Sequence, residues 1–374
     1  MLPAGSTGCF TYPMPPETDQ LVTVVIPAYN EECFIGACLS AVRGQSYRDL
    51  QIIVVDGGST DDTVSVVKRH QAEDERIELL HNPRRTITTS LNLALAHARG
   101  RWLVRVDAHS TVGPAYIRLV VARLREGRWG GVGGRKDGAG ITPAGRAIAA
   151  AMASPFGVGG STYHHGTKAR EVDHIPFGAY PVELVRSLGG WDDRLVANED
   201  FEFDHRLRQA GMVLLFDPQI VINWYCRQSI RDLYRQYWRY GSGKVDVAFL
   251  HPESLRPRHV LVPAFAAYAA TAGMIVLRRP LWSLMMIAPY ALALSVASVW
   301  TARSLDSTAD RIRVAPAFLA MHLGWGVGFW SRLLTAAVDH IGRRPDGVDD
   351  GGGQAGSLSC VGETQAGTHP LLHC

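Results

Sequence analysis

"LVTVVIPAYN", Leu21 to Asn30, is an almost unbroken apolar run that ends in polar residues. Short apolar runs of this kind suit strands buried on both faces, the condition of a parallel sheet covered by helices. The chain then repeats the pattern. "LQIIVVD" (50–56), "IELLHN" (77–82) and "RWLVRVD" (101–107) read as three more strands. Between them lie segments of helical period. Asn30 is placed to cap the first helix, with Glu31 and Glu32 in its opening turn and Phe34, Ile35, Cys38, Leu39 and Val42 on one face. Val64 to His70 continues as the second helix, and Ile87 to Arg99 as the third, stopped by Gly100. This alternation predicts an α/β domain with helices on both faces of a mostly parallel sheet.

In such sheets ligands bind beyond the carboxyl ends of the strands. Those ends carry Asn30-Glu31, Asp56 and Asp107, so polar side chains converge on one rim. In "VRVDAHSTV" (104–112) the aspartate is followed two residues later by an imidazole. Extended backbone would present Asp107 and His109 on the same face. The common nucleotide fingerprints are missing: no GxGxxG follows the first strand, and there is no GxxxxGK[ST]. "GGVGGRKDG" (130–138) opens no clear helix and reads as a flexible loop. A nucleotide would then be read by carboxylates, Asp56 on base or ribose, with a metal at Asp107 on its diphosphate. Asp56 reads equally well as a turn-former bonding its own backbone in "DGGST".

A net charge of +3 over 374 residues leaves no general nucleic-acid footprint, so no nucleic-acid partner is expected. The six cysteines show no metal-ligand spacing and read as reduced; Cys33 and Cys38 fall in the first predicted helix. Residues 1–20 read as a loose arm without a signal peptide. The soluble domain spans 21–245, and an interfacial linker fills 246–260. Three apolar blocks follow, at 261–277, 281–302 and 314–330. A bilayer core of roughly 30 Å needs about 20 apolar helical residues, which the middle block supplies comfortably. Residues 261–333 are therefore expected to form a membrane region of two or three helices. If the first block lies in the interface, Arg278, Arg279, Arg332, Arg343 and Arg344 all stay on the inner side, the preferred arrangement. The rest, 334–374, reads as a disordered tail.

Five stretches taken in order give a sharper reading: "VVIPAYNEE" (24–32), "VVDGGSTDDT" (54–63), "RWLVRVDAHS" (101–110), "GGWDDRLVANEDFEFDHRLRQAG" (189–211) and "RQYWRYG" (235–241). Together they resemble the family 2 glycosyltransferases, which have the GT-A nucleotide-diphospho-sugar fold. With three apolar blocks behind them, they look most like the succinoglycan-type exopolysaccharide glucosyltransferases. The resemblance implies a multi-pass enzyme of the plasma membrane with a cytoplasmic catalytic domain. It would move a sugar, with glucose expected, from a UDP-sugar to a lipid-linked saccharide.

The resemblance also implies roles. Pro27, Tyr29 and Glu31 would line the nucleotide pocket, and Asp56 would contact uracil or ribose, although Gly57 stands where the family usually has a second acid. Asp107-Ala108-His109 takes the place of the family's DxD, with Asp107 and His109 holding Mn²⁺ or Mg²⁺. His109 has a second reading, as a loop cap or phosphate contact. Asp200 would be the base that deprotonates the acceptor hydroxyl, with Glu199 beside it. The same acids also suit the first turn of a capped helix. Trp191 and Asp192, with Gln236 and Tyr240, would line the acceptor and closing segment, and Arg239 would contact a phosphate. His164, His165, His174 and His205 match no ligand spacing and read as loop or core residues. Two alternatives stay open: a polyprenyl-phosphate sugar synthase, whose acceptor needs no base, and a non-catalytic scaffold that binds nucleotide-sugars.

Overall fold

The computed structural model describes residues 20–342. The predicted arm lies outside the described residues up to 19, and the predicted tail lies outside them from 343 onward. Four strands form the parallel half of the sheet: β1 (Val22–Ala28), β2 (Leu50–Asp56), β3 (Ile77–His81) and β4 (Trp102–Arg105). They pair in the order β3-β2-β1-β4, and every residue of β2 and β4 is buried. Register aligns the rim, with Ala28 opposite Asp56 and Asp56 opposite His81. Helices α1 (Ile35–Arg43), α2 (Thr63–Glu73) and α3 (Ile87–His97) connect them. Thr86 caps α3 by accepting the amide of Thr89.

The first predicted cap is corrected. Helix α1 starts at Ile35, and Asn30 has a left-handed φ of 52°. Its Oδ1 accepts the amide of Thr60 at 2.8 Å, so Asn30 joins the β1 end to the turn after β2. Cys33 therefore precedes the helix and is exposed, while Cys38 is buried within it.

The second half of the sheet is mixed. It contains β5 (Ser110–Val112), β6 (Trp129–Ala139), β7 (Arg170–Val172), β8 (Ala179–Pro181) and β9 (Val213–Tyr225). Strand β8 joins the halves by pairing antiparallel to both β4 and β6, and β6 runs parallel to β9. Helices α4 (Tyr116–Leu124), α5 (Pro143–Met152) and α8 (Val182–Ser187) cover this half, with single turns α6 (Pro155–Val158) and α7 (Thr162–His165) beside them. The predicted glycine-rich loop at 130–138 is thus a central strand. Its glycines answer to packing: a Cβ on Gly134 would sit 1.9 Å from the carbonyl oxygen of Ile220, and one on Gly131 2.7 Å from Tyr180.

Helix α9 (Glu199–Gln209) packs on β9, and α10 (Ile230–Leu250) follows, capped by Ser229. The predicted domain boundary at 245 falls inside α10. The predicted linker is the end of that helix, a 3₁₀ turn at Pro252–Ser254, and the start of α11 (Pro257–Ile275). Then come α12 (Pro280–Ala302), the short α13 (Thr308–Arg311) and α14 (Val314–Gly342), which runs past the predicted limit of 333. Among the described residues, two stretches are long and apolar enough to cross a membrane, Pro280–Ala302 and Thr308–Val338. Helix α12 exposes Leu281, Trp282, Leu284, Met285, Leu292, Val296, Val299 and Trp300. Helix α14 instead lies tightly on α10. A Cβ on Gly241 would come 2.0 Å from the carbonyl oxygen of Trp325, and one on Gly328 2.0 Å from that of Trp238. Arg332 adds an ion pair to Asp246 at 2.6 Å.

Candidate active site

The rim is organised by a side chain that the sequence reading passed over. Arg105 is the last residue of β4, and its side chain is only 6% exposed. Its Nε donates to Asp107 Oδ1 at 2.9 Å, and its Nη1 donates to Asp200 Oδ1 at 2.7 Å and Glu199 Oε1 at 3.1 Å. One guanidinium therefore binds the carboxylate beyond β4 and the acidic pair that opens α9. The fork suits Arg and no other cation. The signal was a charged residue inside an apolar strand, on the same face as Asp107 two residues on.

Charge balance sets the protonation states. Burial alone would raise the Asp107 carboxyl, but Arg105, His109 and Lys136 outweigh it and hold it below the ordinary range. At Asp200 burial wins. It lifts the carboxyl to about 6 with help from Glu199, against the pull of Arg105 and His174. His174 stands near because Asp204, one turn beyond Asp200, fixes it: His174 Nδ1 lies 2.8 Å from Asp204 Oδ2, and Tyr180 donates to Oδ1 at 2.9 Å.

Asp107 and His109 do not extend a strand. They lie in a turn that Ser110 closes by donating its amide to the carbonyl of Asp107. His109 Nδ1 is 2.8 Å from Glu31 Oε1, and its ring lies 5.7 Å from that of Trp224. With Glu31 accepting from Nδ1, the neutral imidazole carries its lone pair on Nε2. This is the second-sphere arrangement of a metal-binding histidine. Among the described residues no hydrogen bond falls on Asp107 Oδ2 or His109 Nε2. One carboxylate oxygen and one imidazole nitrogen suit Mn²⁺ better than Mg²⁺. The predicted pair fits a divalent cation, with Glu31 steering His109.

Asp56 has taken its turn-forming role. Its carboxylate accepts the amides of Gly58 at 3.0 Å and Ser59 at 3.1 Å. A Cβ on Gly57 would lie 3.5 Å from the Tyr29 side chain, and both residues stand at the β1–β2 rim with Pro27.

The closing segment is brought to the site in part. Asn198, left-handed at φ 61°, does not cap α9 with its side chain. It donates instead to the carbonyl of Tyr240 at 3.0 Å, tying α9 to α10. Gln236 donates to Tyr240 Oη at 3.1 Å, and its Oε1 is buried without a hydrogen bond. Arg239 lies beside Arg227. Trp191 is buried in the second core, 5.1 Å from the Phe203 ring, and Asp192 is forked by Arg194.

Sequence reasoning also missed two cations. Lys136 of β6 rests 3.6 Å over the Trp224 ring, and burial drops its pKa to about 8 against the pull of Asp107. Arg227, just beyond β9, keeps a buried Nε without a partner. Among the described residues no carboxylate stands within ion-pair distance of Lys136, Arg227 or Arg239. Neighbouring cations with no carboxylate at ion-pair distance form a place for an anion. Of the other histidines, His205 meets Glu253 at 3.0 Å beside His251, away from this rim.

The sequence model of glycosyl transferase family 2 matches residues 23–169, and that of glycosyl transferase family group 2 matches residues 178–331. The succinoglycan biosynthesis protein ExoA of Rhizobium meliloti is 30% identical over 316 residues, 83% of this chain and 94% of its own length. A dolichyl N-acetyl-alpha-D-glucosaminyl phosphate 3-beta-D-2,3-diacetamido-2,3-dideoxy-beta-D-glucuronosyltransferase of Methanococcus voltae is 25% identical over 233 residues, 60% of this chain and 72% of its own. Among solved structures, the mannosyltransferase PcManGT of Pyrobaculum calidifontis, in complex with GDP-Man and Mn²⁺, aligns at a TM-score of 0.52. It covers 87% of this chain and 88% of its own at 22% identity, a likeness of fold.

Proposed function

The chain belongs to the family 2 glycosyltransferases, enzymes of glycan synthesis, and from that premise we propose the reaction it performs. It moves a sugar, with glucose expected, from a UDP-sugar to a hydroxyl of a lipid-linked saccharide, with inversion. The observation that carries this reading is the Arg105 fork, which sets Asp107 and Asp200 on opposite arms of one guanidinium. Asp200 takes the proton of the acceptor hydroxyl as its oxygen bonds to the anomeric carbon. The bond from that carbon to the diphosphate oxygen breaks, and UDP leaves. A base near neutrality suits this task, and burial supplies it.

Asp107 and His109 would hold Mn²⁺ or Mg²⁺. When bound, that ion offsets the charge that develops on the departing diphosphate. Lys136, Arg227 and Arg239 supply fixed positive charge for the same oxygens. In this reading Tyr29 would line the nucleotide pocket and Asp56 would contact uracil or ribose.

Three features support a membrane-bound, lipid-linked acceptor. Helices α12 and α14 contain the two stretches long enough to cross a bilayer. A groove of about 500 Å³ runs between Ser154, Phe156 and α12, lined by Leu292, Val296 and Trp300. The Methanococcus voltae relative is named for a dolichyl-phosphate-linked acceptor. With the catalytic domain cytoplasmic, α11 would lie at the inner interface and α12, whose apolar face is exposed, would enter the bilayer, whereas α14 starts in the domain core and Asp310 of α13 pairs with Arg146 of α5.

The test is to incubate membranes containing the protein with a panel of labelled UDP-sugars, with and without Mn²⁺. Metal-dependent label in the lipid fraction is expected. No label in any lipid fraction and no UDP release from any donor would return the chain to the scaffold reading.

A further inference from the structure

Lys244, on α10, is 2% exposed, and its Nζ has no hydrogen-bond partner. It rests 3.1 Å from the centre of the Phe201 ring. Among the described residues no carboxylate reaches ion-pair distance of it. Its charged neighbours are Arg258 and Asp173. Burial, then Arg258, bring its pKa down to about 7. A buried ammonium without a hydrogen-bonded counter-charge is costly, and an aromatic face recovers only part of that cost. What Lys244 lacks is an anion.

The surroundings favour the same ligand. Arg258 is exposed in the first turn of α11, and Asp173 engages its guanidinium as a phosphate would. Arg256 precedes it, and His259 is buried 5.6 Å from the Phe201 ring. The amino end of a nineteen-residue helix adds its own positive potential. Phe201 follows Asp200 directly, so Lys244 stands behind the residue assigned as base. In the other direction α11 leads into the apolar helices α12 and α14.

We propose that Lys244 and Arg258 bind the phosphate that joins the acceptor saccharide to its lipid. A phosphate entering here displaces Asp173 from Arg258 and completes the hydrogen bonds of Lys244. The lipid then extends toward α12 and α14, and the saccharide toward Asp200. The site rests on the reading of the chain as a transferase to a lipid-linked acceptor.

The experiment uses the full chain in detergent with saturating UDP, so that the donor site is filled. Binding of a fluorescent short-chain polyprenyl diphosphate is compared with that of the matching polyprenyl alcohol. Wild type should prefer the diphosphate by about tenfold, the scale of one charge-assisted contact. Lys244→Met should lose the preference and Lys244→Arg keep it, with UDP affinity equal in all three as a check on folding. A Lys244→Met protein that keeps the preference overturns the site. Inorganic pyrophosphate that binds as tightly as the lipid form, in a Lys244-dependent way, also overturns it by making this a free-phosphate site. A wild type that transfers no label from any UDP-sugar sinks the transferase reading instead, and the binding comparison still reports on Lys244.

Discussion

Arg105 Nη1 and Asp200 Oδ1 lie 2.7 Å apart, although 95 residues separate them in the chain. That contact joins the end of a central strand to the start of an outer helix, and the same guanidinium holds Asp107. Replacing Arg105 with alanine leaves three largely buried carboxylates without their cation. Breaking a buried pair in this way costs about 3–5 kcal/mol, so Arg105→Ala should melt well below wild type. Arg105→Lys keeps the charge but not the fork. It should recover much of the melting temperature and little of kcat; a lysine variant with full turnover would remove the positioning role.

Asp200 sets a pH limit. Its folded-state pKa is raised from 3.8 to about 6, so the base form is lost as pH falls through 6 rather than through 4. In a pH profile, kcat/KM should rise with pH and reach half its plateau near 6. Asp200→Asn should lower kcat by roughly 10²–10⁴. Near-full activity in that variant would point to a phosphate acceptor and the polyprenyl-phosphate synthase reading.

The cation pair is separable by substitution. Asp107→Ala should abolish metal-dependent transfer, whereas His109→Asp, which restores a second carboxylate, should stay active. Glu31→Gln releases the tautomer of His109 and should weaken metal affinity by about 10- to 100-fold with the fold unchanged. Titration of Mn²⁺ after chelator treatment measures all three. If His109→Ala titrates like wild type, Asp107 holds the ion without it.

Lys136→Met and Arg227→Ala should each weaken UDP binding and turnover, by roughly 10- to 100-fold for a charge-assisted phosphate contact. Calorimetric UDP titration separates them from Asp200→Asn, which should bind UDP normally.

Trp191 gives the opposite case. Its side chain fills the second core, so Trp191→Ala should cost about 3–5 kcal/mol of stability. The folded fraction should keep the KM of wild type for donor and acceptor. A selective rise in acceptor KM would restore Trp191 to the acceptor site.

The parallel half of the fold was legible because β1, β2 and β4 are covered on both faces, and such strands advertise themselves as apolar runs. Their polar ends led to Asp107, and the Arg105 guanidinium brings Asp200 beside it from 95 residues away. Strand β6 was hidden by its own packing: the glycines that admit Tyr180 and Ile220 mimic a flexible loop. Asn30 looked like a cap because local sequence cannot show Thr60 arriving from the next turn. Trp191 stood inside a functional motif, yet its neighbours are Asn92 and Phe203 from other elements. Lys136, Arg227 and Lys244 carry no local signature at all. Their meaning comes from what does not stand beside them, and only tertiary structure supplies that.

The glycine contacts between α10 and α14 have a mechanical consequence. Gly241 and Gly328 let the two backbones touch, and carbonyls seated against glycines leave no slack for sliding. Helix α10 also bears Gln236, Arg239 and Lys244. The catalytic rim therefore behaves as the head of a caliper whose arm is α14. The rim and α14 can then shift only as one piece, so a turn inserted into α14 should disturb Gln236, Arg239 and Lys244 together.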